Sequence, residues 1–336
     1  MASKILITAR SFRKLPGVHH QILKDAGLEI VFPPFDRPLS IDEMQQLVPE
    51  VNAIILGVDP ANQEVIKRAS NLKVIARYGV GLDNVDLPAA TAAGIVVTCT
   101  PGVNQIAVAE LTMGLMLAMV RHIPKHHQTV KTGGWNRIEG MELAGKNLGI
   151  IGMGRIGKEV AQRAKAFQMR LFYYKPVKLS SSQEKKLGII YLSLAELLSV
   201  SDILTLHARL TSETKGMIGE KEIALMKPTA IIINTARGEL IDEDALYRAL
   251  KENKIAGAAL DVLAQEPPPI NQPLLKLENV LVTPHIGAYT REAILLMARL
   301  TAESVVKVLR GEYPENVVNP EVYIKLQSDN KPRPRH

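Results

Sequence analysis

The chain has 336 residues, 46% of them hydrophobic and 22% charged, with a formal net charge of +7. That length exceeds one ordinary hydrophobic core and predicts two domains, and the composition has the balance expected of a soluble globular protein. Lysine and arginine are scattered instead of gathered into a stripe, which argues against nucleic acid, and a lone cysteine excludes an intramolecular disulfide and fits a reducing, cytoplasmic compartment.

The N-terminus "MASKILITARSF" has no apolar segment followed by a cleavage site, so no signal peptide is read. Short β-branched runs then alternate with helical patterns, the signature of α/β folding. Strands are predicted at 4–8, 28–32, 53–56, 72–76 and 95–98, with helix-like segments such as "NQEVIKRAS" and "DLPAATAAG" between them. Cys99, in "GIVVTCTPG" at a strand end, reads as a buried small residue rather than a nucleophile. After the "TPG" break a long helical pattern runs from Asn104 to about Thr129. Its apolar stretch "AVAELTMGLMLAMV" carries Glu110 and is too short to span a bilayer, so no membrane is expected. Trp135 in "GGWNR" is expected to pack.

A second series of strands is predicted at 148–152, 170–174, 188–192, 203–207, 230–234, 257–262 and 280–284. The runs "GIIG" and "AIIIN" are continuously apolar, as parallel strands covered on both faces should be. The segment after Tyr289, "TREAILLMARLTAESVVKVLRGE", reads as an amphipathic helix ending at Gly311, with no indication of what it packs against. The tail, 326–336, is short and Pro-rich and is expected to be disordered. No metal site is expected.

Gly152, Gly154 and Gly157 form G-x-G-x-x-G between a predicted strand and a predicted helix, the context in which that pattern binds a dinucleotide. The first glycine permits the turn, the second lets a pyrophosphate approach the backbone, and the third lets helix and strand pack closely. Exposed N–H groups at the helix start, Arg155 and Ile156 among them, would hold phosphate oxygens. Where such folds place an acidic residue for the ribose hydroxyls, about 20 residues on, this chain has Lys175. With Lys178 and Ser180 following, that lysine leans the cofactor choice, NAD or NADP, toward NADP; a lysine that simply points to water is the alternative.

The linked motifs "ARYGVGLDNVD" (76–86), "TPGVNQIAVAELTMGLML" (100–117), "GIIGMGRIG" (149–157), "LMKPTAIIINTARGELIDEDAL" (225–246), "AALDVLAQEP" (258–267) and "LVTPHIGAYT" (281–290) resemble the D-isomer-specific 2-hydroxyacid dehydrogenase family. The look is closest to its phosphoglycerate dehydrogenase-like branch. The chemistry can also be argued from the residues. Arg237 follows a strand end, where a guanidinium can clamp a carboxylate and polarise an adjacent carbonyl. His285 follows another, and Glu266 lies between the last two strands, where a carboxylate partner would orient the imidazole and favour its protonated form. His285 would then give a proton to the substrate oxygen in reduction and remove it in oxidation, while hydride moves to or from the nicotinamide. Arg237, Glu266 and His285 match the family's catalytic arginine, glutamate and histidine.

The resemblance further implies that the backbone of Val80 and Gly81 receives the substrate carboxylate. It places Val108, Thr235, Ala236, Asp261, His285 and Gly287 on the nicotinamide side, with Asp261 on the carboxamide or, alternatively, as a buried turn cap. It also implies two Rossmann-like or flavodoxin-like doubly wound parallel-sheet domains with the active site in the cleft between them. Residues 1–100 with 290–325 would bind substrate and 101–289 NAD(P). A homodimer built partly by the helix after residue 104 is implied too, although an intramolecular core would explain that helix's apolar residues equally.

Two departures stand out. The motif opened by His207 reads "HARLT", with Arg209 where the family usually has proline, which adds a charge near the expected adenine side. "AIILGVDPAN" carries no arginine where some phosphoglycerate-specific members have one, so a small 2-hydroxy or 2-oxo acid such as glyoxylate or hydroxypyruvate competes with phosphoglycerate as the substrate. No regulatory domain is expected after residue 320. An NAD(H)-sensing corepressor is the alternative class, and phosphite oxidation is disfavoured by Ile294 where an arginine would be expected.

Overall fold

The computed structural model describes residues 2–323, so the predicted disordered tail lies outside the described residues. The chain divides into two compact units, one formed by the chain up to Val103 and again from Arg291, the other by Asn104–Thr290.

The first unit begins with β1 (Lys4–Ile7), α1 (Arg10–Lys14), α2 (Val18–Asp25), β2 (Glu29–Val31) and α3 (Ile41–Leu47). It continues through β3 (Ala53–Leu56), α4 (Gln63–Arg68), β4 (Val74–Arg77), α5 (Leu87–Ala92) and β5 (Val96–Thr98). Its sheet runs β2-β1-β3-β4-β5, with all pairings parallel. Leu6, Ile54, Leu56, Ile75 and Val97 point to the face covered by α3, α4 and α5, where Met44, Val65 and Ala90 are buried against them. The alternate residues Ile5, Ile7, Ile55 and Val74 are also buried. Two covered faces explain strands with no polar alternation.

The second unit opens with α6 (Gln105–Val120) and α7 (Ile123–Lys131). These were expected as one helix, but the axis bends by 61° between them. His122 takes a left-handed φ of 51° at the junction, and Pro124 lies in the first turn of α7, where its missing N–H costs nothing. Then come β6 (Asn147–Ile151), α8 (Arg155–Ala166), β7 (Arg170–Tyr174), α9 (Ser181–Leu187), β8 (Ile189–Tyr191), α10 (Leu194–Val200) and β9 (Ile203–Leu206). The unit closes with α11 (Glu220–Ile223), β10 (Ile231–Asn234), α12 (Glu243–Lys251), β11 (Gly257–Leu260) and β12 (Val280–Val282). The parallel sheet has the order β12-β11-β10-β9-β6-β7-β8. The chain reverses direction across the sheet between β6 and β9, which places a ligand crevice at their carboxyl ends. Most of the apolar α6, including Met113, Leu115 and Met116, is buried in this unit's own core with α8.

The last helix, α13 (Arg291–Leu309), returns to the first unit, where it packs on α2, β3 and β4. The segment after it pairs along β5, with Val318 N–H donating to the Val97 carbonyl at 2.8 Å. Among the described residues no single helix is long and apolar enough to cross a membrane. Trp135, expected to pack, is 77% exposed: it follows two glycines in the turn beyond α7. Cys99 is half-buried, its backbone paired with Asn316.

Candidate active site

The glycine turn begins where β6 ends. Gly152 has φ of 91°, and a Cβ there would lie 2.5 Å from the Ala208 nitrogen and the His207 carbonyl carbon beyond β9. A Cβ on Gly157 would lie 2.2 Å from the Gly152 carbonyl oxygen, so α8 can start this close to the strand only on glycine. Above Gly154 a Cβ would meet nothing within 4 Å. The helices α3, α9 and α10 have serine capping boxes, and α4, α5 and α12 have Asn or Asp caps. By contrast, α8 starts on Gly154 with no side-chain cap and no acidic residue in its first turn. Its first N–H groups and dipole therefore face open space, the arrangement that holds a phosphate. A dinucleotide fits this turn.

Around it, Arg155, Lys175 and Arg209 stand just past β6, β7 and β9, and none makes an ion pair among the described residues. The two residues expected to assist Lys175 are engaged elsewhere. Lys178 lies 3.6 Å from Glu184, and Ser180 caps α9. The His207 imidazole is bonded to the Thr205 hydroxyl at 3.0 Å, and its Nδ1 is buried with no partner. Burial holds this imidazole down at about 3, so it is neutral.

The other strands of the reversal end in the remaining residues. Past β10, the Asn234 side chain receives the Ala236 N–H at 3.0 Å and donates to the Arg237 carbonyl at 2.8 Å, which shapes the turn that presents Arg237. Thr235 is hydrogen-bonded to Thr112 of α6 at 3.0 Å, and Thr112 also donates to the Val108 carbonyl. Within the motif at 100–117, a hydroxyl inside an apolar helix is the one sign of Thr112 in the sequence.

Asp261 follows β11, and its carboxylate is filled by its own neighbours. Oδ1 accepts from the Thr283 hydroxyl at 2.6 Å and the Ile286 N–H at 2.8 Å, and Oδ2 accepts from the Gly287 N–H at 2.8 Å. Burial pushes this carboxyl up, against those bonds and the nearby His285. The turn-cap alternative thus describes its contacts here. The loop it holds carries His285, whose φ of 52° is left-handed and whose N–H donates to the Asp261 carbonyl at 2.9 Å. A Cβ on Gly287 would lie 3.0 Å from Asp261 Oδ2 and 3.4 Å from Val108, so these three residues meet.

His285 Nδ1 is 2.7 Å from Glu266 Oε2, and Glu266 Oε1 accepts the Leu263 N–H at 3.1 Å. Burial pushes the Glu266 carboxyl up, but the imidazole, the Leu263 amide and the Arg237 charge outweigh it and hold the group below its usual range. The carboxylate therefore stays ionised into mildly acidic solution. With Nδ1 engaged, only Nε2 of His285 is left for a reacting group.

In the first unit, Gly79 has φ of 142° with the Arg77 guanidinium against it, and Arg77 donates to the Tyr78 carbonyl. The next two amides, Val80 and Gly81, take no hydrogen bond among the described residues. Ile294 is buried in α13, its carbonyl accepting from the Tyr78 hydroxyl at 3.2 Å.

Residues 113–287 match the family model described as "D-isomer specific 2-hydroxyacid dehydrogenase, NAD binding domain". The chain is 48% identical over 285 residues to D-3-phosphoglycerate dehydrogenase of Methanocaldococcus jannaschii, a match covering 84% of this chain but 54% of the relative, so the chain spans about half that protein's length. It is 44% identical over 294 residues to glyoxylate reductase of Korarchaeum cryptofilum, covering 85% of this chain and 88% of the relative. Among solved structures, a glyoxylate reductase from Paecilomyes thermophila aligns with a TM-score of 0.83 at 33% identity, covering 95% of this chain and 99% of that one. Two parallel α/β sheets, a glycine turn shaped for a dinucleotide and these matches together show that the chain belongs to the D-isomer specific 2-hydroxyacid dehydrogenase family.

Proposed function

We propose that the protein is an NAD(P)-dependent oxidoreductase interconverting a D-2-hydroxy acid and its 2-oxo acid. The observation that carries this reading is the 2.7 Å pair between His285 Nδ1 and the ionised Glu266, with the Arg237 charge close enough to act on that carboxylate. When bound, the nicotinamide coenzyme supplies or takes the hydride. The protein's part is to bind, orient and protonate. In the first unit the unused amides of Val80 and Gly81 are the donors for a substrate carboxylate; in the second, Arg237 is the cation that polarises the carbonyl at C2. In reduction His285 donates its Nε2 proton to the oxygen as the carbonyl becomes an alcohol, while Glu266 stabilises the imidazolium; oxidation runs the same transfer backwards. The first unit is the substrate domain and the second the coenzyme domain. Gly152, Gly154, Gly157, Arg155 and Ile156 hold the pyrophosphate. Val108, Thr235, Ala236 and Gly287 form the nicotinamide side, with Asp261 fixing the loop from beneath.

For the substrate, we favour glyoxylate or hydroxypyruvate over phosphoglycerate. The residues after β3 are Gly57, Val58 and Asp59; Val58 is 56% exposed and no cation follows the strand to meet a phosphate. The glyoxylate reductase relative is also matched along most of its length. For the coenzyme, Lys175 and Arg209 favour NADP. A second copy of the chain is the partner we propose, covering Ile106, Ile123, Val130 and Trp135, which are all more than half exposed. Sedimentation equilibrium should give a dimer that Trp135→Asp weakens; a wild-type monomer at micromolar concentration would exclude it. The lone cysteine fits a cytoplasmic location.

Arg237→Ala and His285→Ala should each lower kcat for glyoxylate reduction by at least about a hundredfold while leaving the circular dichroism spectrum unchanged. Coenzyme binding without turnover on glyoxylate, hydroxypyruvate, 2-oxobutyrate and phosphohydroxypyruvate would overturn the enzymatic reading.

A further inference from the structure

The residues that touch the reacting atoms do not explain why the Glu266 carboxylate faces His285. That orientation is set within the loop joining β11 to β12. Leu263 N–H holds Glu266 Oε1 at 3.1 Å, which turns Oε2 toward the imidazole. The adjacent amide, Ala264 N–H, is held at 2.7 Å by Oε1 of Glu243, and Oε2 of the same carboxylate accepts from the Gln272 side-chain amide at 2.9 Å. Glu243 thus ties both ends of the segment containing Glu266. Beneath the same peptide lies Gly238, where a Cβ would sit 2.0 Å from the Leu263 carbonyl carbon. The peptide between 263 and 264 is packed from below and bonded from the side.

Glu243 is not needed to start its helix. Asp242 caps α12 by accepting the Ala245 N–H at 3.0 Å, and Asp244 supplies a second acidic residue in the first turn. The half-buried carboxylate is committed instead to residues 21 and 29 positions away.

We infer that Glu243 is a positioning residue that acts through the 263–264 peptide to hold Glu266 against His285. The inference rests on the dehydrogenase reading, since it gives the Glu266–His285 pair its task. Without Glu243 the 264 amide is released, the neighbouring 263 amide loses its fixed direction, and the Glu266 carboxylate turns freely. Small misplacements of a proton-transfer group cost rate steeply.

The test uses the full-length protein. E243A should lower kcat for glyoxylate reduction about tenfold while coenzyme affinity, read from NAD(P)H fluorescence, stays within about twofold. E243Q keeps an oxygen for the Ala264 amide and should recover most of the rate, and D244A should leave it unchanged. In the E266Q background E243A should add nothing. Equal losses in both backgrounds would overturn the inference, because they would make Glu243 a general support of the fold. A second readout needs no turnover: in the coenzyme-free protein, the His285 imidazole nitrogen resonances should move in E243A in the direction they move in E266Q. Unmoved resonances would overturn the inference as well. Should E266Q retain full activity, the role given to Glu266 in turnover fails, while the resonances still decide whether Glu243 orients it. If E243A does not fold, Q272A removes one of the two ties, and a smaller shift in the same direction is the expected result; no shift counts against the proposal.

Discussion

At Gly154 a side chain would meet open space, whereas at Gly152 and Gly157 it would meet backbone. The same residue type thus meets different surroundings within six positions, and the one with no steric reason to be glycine is the one we propose a pyrophosphate approaches. Lys175 stands past the next strand without an ion pair among the described residues. Lys175→Asp would exchange a cation for a carboxylate that repels a 2′-phosphate and accepts ribose hydroxyls. The ratio of kcat/KM with NADPH to that with NADH should fall about tenfold, or about 1.4 kcal/mol. An unchanged ratio in steady-state assays would remove Lys175 from coenzyme selection. Arg237, Glu266 and His285 stand out in the sequence because their motifs are local and the chemistry proposed for them is distinctive. Glu243 does not, since in "IDEDAL" it reads as an ordinary first-turn acid and its partners at 264 and 272 are visible only in three dimensions. Asp261 stood out within its motif, but the three groups filling its carboxylate lie 22 to 26 residues further along.

Among the elements, the buried parallel strands were the easiest to read, because a strand covered on both faces leaves an unbroken apolar run. The break between α6 and α7 was there to be read: Pro124 stands well inside a pattern expected to run as one helix from Asn104 to about Thr129, and a proline there removes a backbone donor and clashes with the preceding turn. The position of α13 was closed to pattern analysis, since periodicity reveals an apolar stripe and not what it faces. What anchors the segment after it is polar. Asn319, 1% exposed, accepts the Val97 N–H at 2.7 Å and donates to the Ile95 carbonyl at 2.9 Å and the Thr91 hydroxyl at 3.0 Å. Asn319→Ala leaves those groups unpaired at the edge of the first sheet and should cost about 2 kcal/mol. In urea titrations the change should fall on a transition of the first unit; an unaltered midpoint would show that water replaces the amide fully.

For the molecule as a whole, the two sheets follow different strand orders, and the second is inserted in the first. The crevice of the second sheet lies where its winding reverses, so Gly152 and His207, 55 residues apart, come into contact through a single pair of neighbouring strands. The insertion has a consequence for synthesis. On a ribosome making protein from the N-terminus, domains usually mature in the order of their first residues. Here that order is inverted. The inserted unit has all its residues by Thr290, whereas the sheet that begins at Lys4 waits for α13 and Asn319 to cover and seal it. The strands β1 to β5 are thus secured only after the inserted unit is complete, and through that interval the nascent chain carries an uncovered apolar sheet face that residues 291–319 must shield.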